Sequence, residues 1–420
     1  MEMDATVLAR QHDMVHANDP NRRHPRYKSV PALTPVRAKD SAARRIVHGS
    51  FEHPSLPALE ARMRRLVLKT ILRLGRYAVL PVAAFACAMS AAWLMAFDRH
   101  TMLALAAAPI VLSAAPAAIA LALGILLLPS RRDRNPSVDG AAAPGLWAIW
   151  NELDHAFARS GRTLRIDADF NASIGEESRY AGLFKRHVTM TVGLPLLMIM
   201  DERAVRAVVA HEVAHARLQH TSGGINLHDF LAASENVLYY ADPDRTITGR
   251  VAHILLHSLI EWLGKEYRTL SHENEFSADV GAAEQVGHHE MARALVLLEA
   301  CTTRLSDLVF NPLEKEMLGA ITVPMPPLQR ISARLGDIRA VEQLATTAAA
   351  RLAREPEPDS THPPFNKRLA NLGFTGIPTI DAVQASAIDR LLSPEAAKEL
   401  SARFDNEWRK RARDLVVVGR

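Results

Sequence analysis

Between Tyr77 and Phe97 the chain carries no charged residue, and after Asp98-Arg99-His100-Thr101 a second uncharged run extends from Met102 to Pro129. Runs this long constrain everything else. A stretch of roughly 20 apolar residues can satisfy its backbone amides inside a bilayer only as a helix. Two such runs joined by four residues predict a transmembrane hairpin, with spans at about 77–97 and 102–129. A buried hairpin of a soluble protein would not need such lengths. Arg62, Arg64, Arg65, Lys69, Arg73 and Arg76 lie in a basic helical segment before the first run, and Arg131, Arg132 and Arg134 follow the second. Basic residues at both outer ends place both termini in the cytoplasm. A multi-pass protein of the cell (inner) membrane is expected, with the lipid bilayer as one partner.

The rest of the chain is ordinary by comparison. Residues 1–57 mix Arg, His, Pro, Asp and Ser without a helix or strand period, which reads as a disordered polar tail. No short apolar core followed by a small-residue cleavage site marks a cleaved signal peptide there. Residues 58–136 hold the basic helix and the hairpin, and 137–420 read as one soluble domain with a helical C-terminal tail. The net charge of +4 is small for 420 residues and no basic stripe is interleaved with aromatics, so nucleic acid is not an expected partner. With only Cys87 and Cys301 present, a disulfide framework or Cys-rich zinc knuckle is excluded. Any metal site must come from His, Asp and Glu.

Within 137–420, Leu146–Phe157 reads as helix, Thr163–Phe170 alternates as a half-buried strand, and His187–Val192 is a second β-rich stretch ended by Gly193. Helices are predicted around 202–220, 250–264, 274–286, 290–305 and 327–353.

The second of those strands leads to the residues that carry chemistry. Asp201 can cap a helix that is apolar on nearly every side from Ala204 to Ala216, yet holds His211, Glu212 and His215 in its middle. Burying three ionisable groups is costly unless they are paired or bind a metal. At i and i+4 the two imidazoles share one face and can share one ion, with Glu212 beside them as a base that does not ligate. His253 and His257 repeat the spacing with Glu261 one turn on, but Ile254 stands where the base would be. That segment reads as an ordinary packed helix or one lying on the membrane surface.

A catalytic zinc needs a third protein ligand and an open position. Leu218 and Thr221 stand where a Gly and a His would supply it in one zinc-peptidase pattern, and His220 sits off the ligand face. A later helix offers Glu275 and Asp279, one turn apart. Glu275 could complete the site while Asp279 accepts from the far nitrogen of a ligand histidine. The bland alternative is a solvated acidic helix start.

His211-Glu212-Val213-Ala214-His215, followed about sixty residues later by Glu275-Phe276-Ser277-Ala278-Asp279, resembles the HtpX-like and CAAX-prenyl-protease-like family of integral-membrane zinc peptidases. Asn171-Ala172, the run Val188 to Leu194, and Thr361-His362-Pro363-Pro364 with Arg368 stand where that family has its own motifs, so the likeness spans roughly 160–372. The resemblance implies a gluzincin-type domain with one Zn²⁺ per chain, Glu275 as third ligand and Asp279 behind a ligand histidine. It also implies His362 and Asn171 near the substrate. The insert Gly175–Lys185 is longer and more polar than the family pattern, and 222–270 has no clear third span, so prenyl-substrate specificity is not implied.

The expected fold class is therefore α+β, mainly helical: a two-helix transmembrane hairpin followed by a gluzincin-type zinc peptidase domain with a small sheet. The expected function is zinc-dependent endopeptidase, with Glu212 as general base and His362 at the oxyanion. Its partner would be a polypeptide, membrane-associated proteins included, paired with the strand at Val188 and Met190 as edge strands pair. The alternative is a catalytically silent metal-binding scaffold, which would lack a ligand or the base.

Overall fold

The structure, a computed structural model, describes residues 56–97, 101–127, 135–154, 161–177, 187–241, 247–318, 320–354 and 362–418. Residues 1–55 of the expected tail and eight of the eleven residues of the polar insert, 178–185, fall outside them. The chain divides into two units, Met1–Arg65 and Leu66–Arg420; of the first, only the opening turns of a helix are described.

That helix is α1 (Leu56–Leu74). It continues through a 3₁₀ turn, Gly75–Val79, into α2 (Leu80–Phe97), and α3 (Thr101–Leu127) packs back along α2. Among the described residues, the one helical stretch long and apolar enough to cross a membrane is Arg62–Ala96. The hairpin shape is present, whereas a second membrane crossing by α3 is not established by it.

The domain that follows starts with β1 (Ser137–Val138) and α4 (Pro144–Leu153), then β2 (Gly161–Asp167), β3 (Ala172–Glu177) and β4 (His187–Gly193). These four strands form a mixed sheet in the order β1-β2-β4-β3. β4 is parallel to β2, with Leu164 opposite Met190, and antiparallel to β3, with Ile174 opposite Met190. The expectation of β4 as an edge strand is therefore wrong. Both of its edges are hydrogen-bonded, and Val188 and Met190 are 1% exposed within the main core. The edges, among the described residues, are β3 and the two-residue β1.

Gly193 ends β4 because nothing larger fits. A Cβ there would lie 1.7 Å from the Asp169 carbonyl oxygen, in the turn joining β2 to β3. From it the chain enters α5 (Leu194–Ile199) and then α6 (Glu202–Ser222). Asp201 caps α6, accepting from the Ala204 N–H at 2.9 Å. The buried Arg293 holds the same carboxylate at 2.5 Å, so the start of α6 is pinned to the core. Ala204, Val205, Ala207, Val208, Val209, Ala210 and Val213 bury α6 on nearly every side.

Two helices follow. α7 (Gly224–Ala241) lies where no helix is expected, and the stretches expected at 250–264 and 274–286 are one helix, α8 (Ile247–Val286). At 40 residues α8 is about 60 Å long. Its first half joins Ile71, Val79, Ile125, Leu227 and Phe230 in a second core through Leu263. Its second half crosses α6. Thus one rigid rod connects the hairpin region to the site described below.

The remainder is α9 (His288–Leu305), α10 (Asn311–Leu318), α11 (Pro327–Ala333), α12 (Leu335–Arg339), α13 (Val341–Leu352), α14 (Phe365–Asn371), α15 (Ile388–Leu391) and α16 (Pro394–Val418). The single helix expected at 327–353 is three short ones. Arg339 supplies a reason for the break after α12, since its guanidinium bonds the Ile199 carbonyl at 2.8 Å and the Ser386 hydroxyl at 2.6 Å.

Candidate metal centre

His211 and His215 lie one turn apart on α6, ring centres 4.5 Å apart and nearly perpendicular. Where α8 crosses, Glu275 faces both: Oε1 is 3.2 Å from His215 Nε2, and Oε2 is 3.6 Å from His211 Nε2. One ligand atom from each of the three lies within 4.8 Å of the others. All three side chains are buried. His211 Nε2 and His215 Nε2 both turn toward the Glu275 carboxylate, so the three side chains converge on one point. Two imidazoles and one carboxylate are the donor set of a catalytic zinc with a position left open. These residues fit that metal.

Asp279, fully buried one turn after Glu275, sits behind the first histidine, its Oδ1 3.0 Å from His211 Nδ1. The contact has ion-pair length without the alignment of a hydrogen bond. Burial disfavours an imidazolium at His211, but Asp279 and Glu275 outweigh it and hold the metal-free group up to about 9. Burial would also raise Glu275; the three histidines and Arg368 overcome it and keep that carboxylate far below its usual range. Glu212 is the opposite case. It keeps some exposure, and its pKa is raised by desolvation, only partly offset by the two histidines. A carboxyl group raised in this way is a better proton acceptor than an ordinary one.

The late segment closes over the site. His362, 64% exposed, places Nδ1 2.6 Å from Glu275 Oε1. Arg368 on α14 takes both oxygens of Asp279, Nε to Oδ2 at 2.9 Å and Nη2 to Oδ1 at 2.7 Å. Its Nη2 is also 3.0 Å from Glu275 Oε2.

The structure thus gathers His211, Glu212, His215, Glu275, Asp279 and His362 in one place. Asn171 is exposed just before β3 and its carbonyl accepts from the Gly193 N–H at 2.8 Å. Val188 and Met190, expected to meet substrate, are core residues. The part of Arg368 was missed: it was noticed as a motif residue with no task. A charge count could have found it, because two buried carboxylates one turn apart require a cation. Glu273, the neighbouring carboxylate that could have competed with Glu275, is exposed.

The model of "Peptidase family M48" matches residues 157–374, which contain every residue of this centre. A protein named "Protease HtpX homolog", from Bacillus pumilus, is 31% identical over 142 residues, covering 30% of this chain and 46% of that relative. The chain therefore spans about half the length of the curated relative it matches. No solved structure matches it.

Proposed function

The chain belongs to peptidase family M48, and on that premise we propose that it is a membrane-anchored, zinc-dependent endopeptidase. His211, His215 and Glu275 hold the metal and Glu212 serves as general base. The observation that carries this reading is the crossing of α6 and α8, which brings three ligand atoms from the two helices within 4.8 Å and leaves Glu212 outside the set.

When bound, Zn²⁺ supplies Lewis-acid polarisation of the scissile carbonyl and makes water a nucleophile near neutral pH. The chain's own residues do the rest. Glu212 accepts the proton of the attacking water and returns it to the leaving amine. His362, exposed beside Glu275, donates to the carbonyl oxygen as it gains charge. Asp279 fixes the His211 ring so that Nε2 faces the ligand position. An extended polypeptide lies along β3, the longer of the two edge strands, with Asn171 at its start. A silent scaffold would lack a ligand or the base, and neither is missing.

The apolar stretch Arg62–Ala96 and the uncharged α3 support a hairpin that crosses the bilayer twice, with the domain on the cytoplasmic side by the distribution of Arg and Lys. From His215 to Gly223, where α6 meets the end of α1, is eight residues or about 12 Å of helix. That distance favours substrates near the membrane face. The purified protein should cleave an unfolded polypeptide, lose activity to a chelator and regain it with Zn²⁺. Hydrolysis that persists after complete chelation would sink the reading.

A further inference from the structure

A buried carboxylate that does not ligate the metal needs a cation of its own. Asp279 is fully buried and Glu275 precedes it by one turn on the same helix, where like charges repel. Zinc would answer the charge of Glu275 directly, but it would not touch Asp279. Arg368 does, with two bonds to the two oxygens of Asp279 and a third contact to Glu275 Oε2. With the metal present, its two charges and the one of Arg368 balance the three carboxylates Glu212, Glu275 and Asp279. A lysine could supply the charge, but not a planar fork that meets both oxygens at once.

We propose that Arg368 is a positioning residue of the metal centre: it holds the Asp279 carboxylate against His211 Nδ1, so that His211 presents Nε2 to the metal. This rests on the metallopeptidase reading but concerns a residue that reading leaves without a role. The placement of α14 does not depend on the guanidinium. Asn371, on the same helix, donates to the Phe276 carbonyl of α8 at 2.9 Å, and Leu369 is 1% exposed within the main core. Removal of the side chain should therefore leave the helix docked.

The test is zinc affinity of the full-length, detergent-solubilised protein, measured by competition with a chromophoric chelator. Arg368→Ala should weaken zinc binding by about 10- to 100-fold, the range expected for loss of a residue behind a ligand. Arg368→Lys should recover only part of that loss. Asp279→Ala with Arg368→Ala should bind zinc within about threefold of Asp279→Ala alone, because the two residues act in series. The double variant also removes the stranded buried charge, so it decides the matter if Arg368→Ala does not fold. Wild-type zinc affinity in Arg368→Ala with only turnover reduced would overturn the proposal and move Arg368 to the substrate. Losses that multiply in the double variant would overturn it too. A wild-type protein that binds no zinc would instead remove the metallopeptidase reading, and this proposal with it.

Discussion

Arg76 grips Asp229 through two hydrogen bonds, Nε to Oδ2 at 2.8 Å and Nη2 to Oδ1 at 2.5 Å, and so ties the entry of the apolar hairpin to α7. The joint is built around this pair. Asn226 Nδ2 donates to the Leu72 carbonyl at 2.8 Å, and Gly223, which ends α6 at φ 76°, lets the same carbonyl approach to where a Cβ would be only 2.5 Å away. A substituent there meets backbone that cannot step aside. Gly223→Ala should destabilise the protein by about 1–3 kcal/mol, as forced left-handed residues do. Asp229→Ala, at a half-exposed pair, should cost about 1 kcal/mol or less. Gly336 has open space around it, so Gly336→Ala is the control. Thermal unfolding in detergent that ranks Gly223→Ala no worse than Gly336→Ala would refute the joint.

Asp279→Ala should weaken zinc binding by roughly 10- to 100-fold while leaving the three ligands in place. The check is the metal dissociation constant, with circular dichroism to show that α8 persists. An unchanged constant would mean that Asp279 does not orient His211.

Zinc binding should also release a proton. In the metal-free protein His211 is protonated below about 9, burial opposing and Asp279 with Glu275 favouring the charged ring. The metal needs the neutral form, so affinity should climb about tenfold per pH unit through neutrality and level off near the His211 value. For the metal-free fold the sign is reversed. The contribution of His211⁺ to stability is full below the ordinary histidine range and is lost as pH rises through about 9. Titration calorimetry in two buffers of different protonation enthalpy, at about pH 7.5, reads the proton directly. Identical heats in both buffers would contradict it.

How much of this could be read from the sequence depends on which interactions were local. The pair His211 and His215 is legible because helical spacing alone puts them on one face. Asp201 as a cap is legible for the same reason. In the sequence, Gly264 and the polar run after it look like a break within α8. In the fold, Leu256 and Leu263 bury the first half against its neighbours, and this packing outweighs the roughly 1 kcal/mol that a mid-helix glycine costs. Strand order was not legible at all. Whether β4 is central or at the edge depends on β2 and β3 pairing with it, and alternation along β4 is the same in either case. The short strands β1 and β3 and the pairing of Arg368 with Asp279 likewise exist only between distant segments.

Orientation in the membrane can be read by cysteine labelling. With Cys87, exposed in the hairpin, replaced by Ser, the buried Cys301 is the remaining native thiol. A cysteine at Asp381, an exposed position of the domain, should then resist a membrane-impermeant thiol reagent in intact cells and react after lysis. Labelling in intact cells would put the domain outside and end the cytoplasmic assignment.

The central claim is that Glu212 moves the proton without holding the metal. The most direct measurement compares wild type with Glu212→Gln for bound zinc and for hydrolysis of an unfolded polypeptide, in the same preparation. Loss of a general base should lower turnover by at least about 100-fold. The account predicts that fall with zinc content unchanged. Near-wild-type hydrolysis by Glu212→Gln, or loss of zinc along with activity, would contradict it.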